Sequence, residues 1–191
     1  MAGQRRGPGE EGAGTSGPEP TVAVRIGQAV VLHRGGDREE ARNRLARLWE
    51  EAGAAGDPFL RCLLAHHLAG VQDDPAAGLE WQRRALAAAR GPVAGRGPSP
   101  RSLLPSLHLG LAECHARLGD RAAARRELAR ARSAAEGPPG GAPGGGADGR
   151  EHAEAYRALV GATAGRLERW LAATGHRAGP PERFDGPAQP P

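Results

Sequence analysis

The stretch SLHLGLAECHARLGDRAAARRELARA, residues 106–131, decides the fold of this 191-residue chain. Two runs of strong helix formers meet at Gly119-Asp120, where the glycine suits the end of one helix and the aspartate suits the N-cap of the next. Small residues recur along both runs, at Ala112, Ala124 and Ala131. Because small residues let two antiparallel helices approach closely, the pattern predicts a helical hairpin.

The same punctuation occurs twice more, at Gly36-Asp37 and at Asp73-Asp74. Glu40 follows Asp37 by three residues, which is the spacing of a capping box. A proline follows Asp74, and proline is well tolerated at the first position of a helix because the amide there needs no partner. The three junctions therefore predict three hairpins in succession.

Aligned on these junctions, residues 22 to 136 resemble the tetratricopeptide repeat family. The third unit matches the family's large, small and turn positions at Leu111, Ala112, His115, Gly119, Ala124, Leu128 and Ala131. The first unit matches at Ala29, Leu32, Gly36, Ala41, Leu45 and Leu48, with Gln28 in place of the leading apolar residue. The middle unit is looser and matches at Asp73, Gly78, Ala85 and Leu86. The stretch LAHHLAGVQDDPAAGLEWQRRAL also resembles uncharacterised tetratricopeptide proteins of GC-rich bacteria, a resemblance that carries no known activity.

We expect an all-α fold, a short antiparallel stack of about six or seven helices. A last helical stretch from about Arg150 to Thr174 is expected to cap the stack. Its apolar residues at three and four spacing are Tyr156, Leu159, Val160, Leu167, Trp170 and Leu171. A homodimer through this last helix is left open.

The chain has 30 glycines and 17 prolines, and 34 of these 47 residues fall in four stretches with few apolar residues. We expect disordered tails at 1–20 and 175–191, a helical domain at 21–174, and loops at 91–105 and 137–149. All 26 basic residues are arginine, which together with the alanine, glycine and proline excess is typical of GC-rich codon usage. Cys62 and Cys114 fall within apolar helical patterns, and the chain has neither a signal core nor a long apolar span, so we expect a cytoplasmic, non-membrane protein.

In the tetratricopeptide family, the first helix of each hairpin lines a groove that binds peptides or partner helices. Carried over by alignment, the groove positions here are Ile26, Val30, His33, Arg34, Leu63, His67, Leu109, Glu113 and Arg117. Arginine and histidine among aliphatic side chains suit an extended segment with an acidic residue or a terminal carboxylate. The apolar members also fit an ordinary core. The carboxylate clamp of the family needs lysine and asparagine at these positions, and neither is present.

No pattern in the chain indicates an enzyme or a cofactor. Cys62, His66 and His67 form the most metal-like cluster, but they number fewer than the four ligands of a closed zinc site, and buried core residues are the favoured interpretation. Asp73, Asp74 and Glu80 lack an accompanying nucleophile or base. Ser106 and His108 are two residues apart, so they face different sides of a helix.

The resemblance implies a non-enzymatic module that binds an unknown protein partner. A nucleic-acid-associated accessory protein is the second hypothesis, because residues 121–136 carry five arginines against two glutamates. No aromatic residue lies among those arginines to stack on bases, so we expect a solvated helix face and consider a nucleic-acid partner the weaker hypothesis. Trp81 and Trp170 are expected to anchor the core or the edge of the groove.

Overall fold

The computed structural model describes residues 20–54, 56–91, 99–136 and 147–173, with only the backbone given for 147–153. Within these ranges the chain forms seven α-helices and one short 3-10 helix, with no strand. The α-helices are α1 (Val22–Arg34), α2 (Arg38–Ala52), α3 (Pro58–Gly70), α4 (Pro75–Arg90), α5 (Leu104–Arg117), α6 (Arg121–Glu136) and α7 (Ala147–Ala173), and the 3-10 helix is Pro100–Leu103. The predicted all-α fold is therefore confirmed.

The predicted tails and loops fall largely outside the described residues, since 1–19, 92–98, 137–146 and 174–191 are not described. Within the expected loop 91–105, the 3-10 helix leads directly into α5. Ser99 starts this turn, because its hydroxyl accepts a hydrogen bond from the Arg101 amide at 3.3 Å. At the other predicted loop, α7 begins at Ala147, slightly before the expected Arg150.

The first and third junctions share one geometry. Gly36 and Gly119 have φ values of 94° and 82°, which glycine adopts without the strain that a side chain would add. The amide of the following aspartate donates back to the preceding helix, from Asp37 to the Leu32 carbonyl at 3.0 Å and from Asp120 to the His115 carbonyl at 2.9 Å. Each aspartate then caps the next helix, accepting from Glu40 and Ala123 respectively.

The capping box expected at the first junction is only half formed. Asp37 accepts from the Glu40 amide at 3.2 Å, but the Glu40 carboxylate pairs with Arg44 at 2.7 Å one turn further along. The Asp37 amide has already found the carbonyl of Leu32. The Glu40 carboxylate therefore does not bind the Asp37 amide and forms an ion pair with Arg44 instead.

The second junction has no glycine, and its aspartate acts on the following helix alone. Asp74 accepts from the amides of Ala76 and Ala77 ahead of α4. An Asp-Pro cap of the same kind starts α3, where Asp57 accepts from the Phe59 amide at 2.7 Å. Sequence reasoning overlooked this second Asp-Pro pair, although its local signal was equal.

Helices that follow each other pack in pairs, α1 with α2, α3 with α4 and α5 with α6, and α7 lies against α5 and α6. The first helices of the pairs form one layer, because α3 packs against both α1 and α5. We call this layer the inner layer and its α1, α3 and α5 surface the inner face. Helices α2 and α4 have no Cα atoms within 8 Å of each other, so the outer layer is more open.

Two large apolar clusters hold the layers together. The first runs from Ile26 on α1 to Leu107 on α5, and the second joins α5, α6 and α7 through Leu109, Leu128 and Leu167. The alanines at the predicted small positions, Ala29, Ala41, Ala112, Ala124 and Ala131, are fully buried, as expected for residues between packed helices.

The face that α7 buries differs from the predicted one at Leu159. Val160, Ala164, Leu167 and Leu171 form the buried stripe, whereas Leu159 is 37 % exposed. Neighbouring residues on a helix point about 100° apart, so a stripe that includes Val160 turns Leu159 towards solvent. Trp170 is partly buried against the second cluster.

No helix in the described ranges combines the length and apolar character required to cross a membrane.

Candidate functional site

The aliphatic groove residues belong to the core. Ile26, Leu63 and Leu109 are 2 %, 7 % and 6 % exposed, and Val30 packs partly buried against the first cluster. These residues support the inner layer from within, because their side chains are already enclosed by neighbouring helices. The other predicted groove residues are polar, although α1 also carries Val24 and Val31, which are 50 % and 67 % exposed.

Three of the predicted polar groove residues lie together where α1 ends beside α3. His33 and Arg34 form the last turn of α1, and both act electrostatically on His67 of α3. Burial lowers the pKa of His67 to about 3, and the nearby His66, Arg34 and His33 add to the shift by repelling a second positive charge. His67 is therefore neutral near pH 7, while Arg34 is exposed and charged.

The α5 members of the predicted groove lie further along the inner face. Arg117 is partly buried and donates to the backbone carbonyl of Asp73 at 2.9 Å, so it ties α5 to the turn before α4. Glu113 is partly buried on α5. Arg117 thus has a structural role that the alignment did not reveal.

His66 of α3 and Gln82 of α4 interact beneath the inner face. His66 Nδ1 lies 3.2 Å from the amide group of Gln82, which is only 3 % exposed between α3, α4 and α5. Gly110 makes room for it, since a Cβ atom there would lie 2.0 Å from Gln82 Nε2. Burial lowers the pKa of His66, with the Gln82 hydrogen bond opposing that shift. Neutral His66 and Gln82 thereby satisfy each other inside the molecule.

Each of the three carboxylates considered as an acid or base has a structural partner. Asp73 pairs with Arg38 at 2.7 Å and with Arg42 at 2.5 Å, and these hydrogen bonds lower the pKa of its carboxyl group. Asp74 caps α4, and Glu80 pairs with Arg83 at 2.6 Å. Each of the three carboxylates therefore has a partner within the fold.

Cys62 and His66 of the metal-like cluster have hydrogen-bond partners outside the cluster. The Cys62 thiol donates to the Ala85 carbonyl at 3.3 Å, and burial raises the pKa of Cys62 to about 12. Thiolate is the form that binds metal, so this burial disfavours ligation. Among the described residues, no group of three or more His, Cys, Asp or Glu side chains is arranged to hold a metal ion.

Ser106 and His108 face different neighbours, as their spacing predicts. The Ser106 hydroxyl lies 2.5 Å from the Tyr156 hydroxyl on α7, and His108 Nδ1 lies 2.7 Å from Glu127 on α6. Glu127 is 8 % exposed and also accepts from Arg130. Sequence reasoning placed Glu127 on a solvated face, and the buried histidine partner 19 residues away corrects that.

The arginines of α6 form a partly neutralised face. Arg130 pairs with Glu127, and Arg132 pairs with Glu168 of α7 at 2.6 Å. Arg125 and Arg126 are exposed. A phosphate-binding surface would require several unpaired cations side by side, and the ion pairs of α6 reduce that number.

The outer layer holds a cluster that sequence reasoning missed. Trp49 of α2 and Trp81 of α4 meet edge to face, with ring centroids 5.2 Å apart. Arg61 lies over Trp49 and Arg84 lies over Trp81. Only Trp81 had been considered, because the pairing joins residues far apart along the chain and has no local signal.

Comparison of the chain with protein-family profiles, with curated proteins and with solved structures gives no match.

Proposed function

We propose that the chain is a non-enzymatic, cytoplasmic interaction module of the tetratricopeptide type, whose inner face binds a peptide or partner helix through a carboxylate. The repeated Gly-Asp turn geometry of the first and third junctions supports the repeat assignment. Cys62 and Cys114 are buried and form no disulfide, which suits a reducing compartment.

The observation that carries the binding proposal is that Arg34 and His33 lie in the last turn of α1 and His67 in the last turn of α3, two helices that pack side by side. Arg34 supplies an exposed positive charge, and a neutral histidine ring carries one N–H donor. The aliphatic positions are enclosed, so the ligand is recognised by polar groups more than by apolar pockets. A carboxylate of an extended segment, or its free C-terminus, satisfies both donors.

The test is fluorescence anisotropy with labelled peptides that have a free or an amidated C-terminus and either contain or lack an acidic residue. Losing an arginine-carboxylate interaction costs about 1.5 to 3 kcal/mol, so Arg34→Ala should weaken binding about tenfold or more. Arg47→Ala is the matched control, since Arg47 is an exposed arginine on α2, and it should bind like the original protein. Equal affinities for peptides with and without carboxylates would contradict the proposal.

The nucleic-acid hypothesis has less support than the protein-binding one. Two of the five arginines in 121–136 are engaged with Glu127 and Glu168, and the described part of α6 contains no aromatic side chain. Binding of an oligonucleotide with a steep salt dependence that is lost in Arg125→Ala/Arg126→Ala would reverse this order.

A further inference from the structure

A second surface lies on the outer layer, where two tryptophans bridge α2 and α4. No Cα atoms of these helices approach within 8 Å, yet the rings of Trp49 and Trp81 are 5.2 Å apart at an interplanar angle of 87°. The two indole side chains therefore provide contact between α2 and α4, although the backbones of these helices are far apart. Both rings pack against the first apolar cluster and are only partly buried.

An arginine covers a face of each ring. The guanidinium carbon of Arg61 is 4.4 Å from the ring centroid of Trp49, and that of Arg84 is 4.5 Å from the ring centroid of Trp81. Arg61 also donates to the carbonyl of Gly53. Stacking on indole favours one position for each guanidinium, so less side-chain freedom would be lost when a ligand binds there.

These two arginines lack a carboxylate partner within the described part of the chain. Neither Arg61 nor Arg84 has an acidic oxygen within 4.0 Å there, whereas the adjacent Arg83 pairs with Glu80 at 2.6 Å. No described residue accepts a hydrogen bond from the indole N–H of Trp49 or Trp81. The cluster therefore presents two positive charges and two indole donors together, without a counter-charge from the described residues.

We propose that this Trp49–Trp81 surface docks an acidic segment of a partner protein. Carboxylates of the segment pair with the outward edges of Arg61 and Arg84, in the planar two-bond geometry that guanidinium groups favour. An apolar side chain of the segment covers the exposed edges of the indoles. Tryptophan and arginine are the residue types that dominate binding energy at protein interfaces, and here they are already assembled.

A protein segment fits this surface better than a nucleic acid does. Single-stranded nucleic acids bind such clusters by stacking bases on open aromatic faces. Here the guanidinium groups cover one face of each indole, and the edge-to-face packing of the two rings covers one face more. The groups left to a ligand are guanidinium edges, indole edges and N–H donors, which match carboxylates and apolar side chains.

The experiment uses the full chain and a labelled peptide of alternating Glu and Phe residues with both ends blocked, so that it has no terminal carboxylate. Its counterpart with Gln in place of Glu is the neutral probe. Binding measured by anisotropy should be at least about tenfold tighter for the Glu peptide and should weaken as salt is raised.

Arg84→Gln, at an exposed position, should weaken Glu-peptide binding about tenfold, and Arg61→Gln/Arg84→Gln should weaken it further. Arg83→Gln is the matched control, because Glu80 already neutralises that arginine, and it should bind like the original protein. The same series is measured in an Arg34→Ala background, which removes the carboxylate partner of the inner face, so the Glu-peptide binding that remains there belongs to the outer surface. Unchanged thermal melts confirm that each variant folds.

Three results would overturn the proposal. One is equal affinity for the Glu and Gln peptides, and another is an Arg84→Gln variant that binds the Glu peptide as well as the original protein does. The third is a thymidine oligonucleotide of equal charge that binds more tightly than the Glu peptide and loses its affinity in Arg84→Gln, which would assign the surface to nucleic acid.

Discussion

Arginine side chains illustrate, at the scale of single residues, why composition alone says little about this protein's surface. Arg42 holds the turn before α4, donating to Val71 and Asp73, and Arg61 lies on an indole. Arg34 is exposed on the inner face. The sequence pI, near 10.3, treats these three arginines as equivalent charges. Which arginine is engaged depends on partners distant in the chain, so the sequence could not separate structural arginines from those available to a ligand.

The neutral state of His67 makes stability depend on pH. Its folded pKa, about 3, lies below the ordinary value of 6.5, so the unfolded chain takes up a proton as pH falls and the folded chain does not. This contribution is fully present above pH 6.5 and is lost as pH falls towards 3. His66 acts in the same direction.

We expect the free energy of unfolding to drop by about 1 to 2 kcal/mol between about pH 7 and about pH 5 because of His67. Urea titrations at both pH values, compared with those of His67→Gln, measure it. The variant should show a smaller drop over this interval, with the His66 contribution remaining. Identical pH dependence in the two proteins would mean that His67 is protonated in the folded state near its ordinary pKa.

At the scale of helices, the sequence predicted the helix ends well, and it predicted less well which face of each helix is buried. The junctions at Gly36-Asp37 and Gly119-Asp120 were found because a positive φ and an N-cap have their own residue preferences. The sequence did not predict that the Glu127 side chain is buried or that the Leu159 side chain is exposed. Both depend on which side of a helix meets its neighbour, and interactions between residues distant in the chain decide that.

The packing of α4 on α5 depends on the absence of a side chain at Gly110. Alanine there would place its Cβ 2.0 Å from Gln82 Nε2 and displace a side chain that is 3 % exposed and bonded to His66. The lost hydrogen bond and overpacking outweigh the gain in helix propensity, so Gly110→Ala should destabilise the protein by about 1 to 2 kcal/mol. Thermal or urea unfolding measures the change.

The matched control is Gly161→Ala on α7, where a Cβ atom would meet nothing within 4 Å. This variant should stabilise the protein by roughly 0.5 to 1 kcal/mol through helix propensity. Opposite signs for the two variants are the expected outcome. Equal stabilisation would show that α4 and α5 are further apart than the Gln82 packing requires.

At the scale of the whole molecule, packing runs mainly between neighbours along the stack. The first cluster extends from α1 to the start of α5, and the second extends from α5 to α7, so α5 contributes to both. Within the described ranges, no Cα atom of α1 or α2 lies within 8 Å of one in α6 or α7. In such an arrangement stability is a sum over local units and interfaces, and one end can open while the other stays folded.

This organisation predicts that damage to the second cluster stays local. Leu167 is 2 % exposed on α7, and Leu167→Ala should cost about 2 to 5 kcal/mol. Hydrogen exchange followed by mass spectrometry should then show faster exchange in α6 and α7, with α1 to α3 unchanged. Leu45→Ala, at a residue 1 % exposed in the first cluster, is the mirror control and should accelerate exchange in α1 to α3 instead. If both variants accelerated exchange equally along the chain, the two clusters would unfold as one cooperative unit, and a ligand on the inner face would stabilise α7 as much as α1.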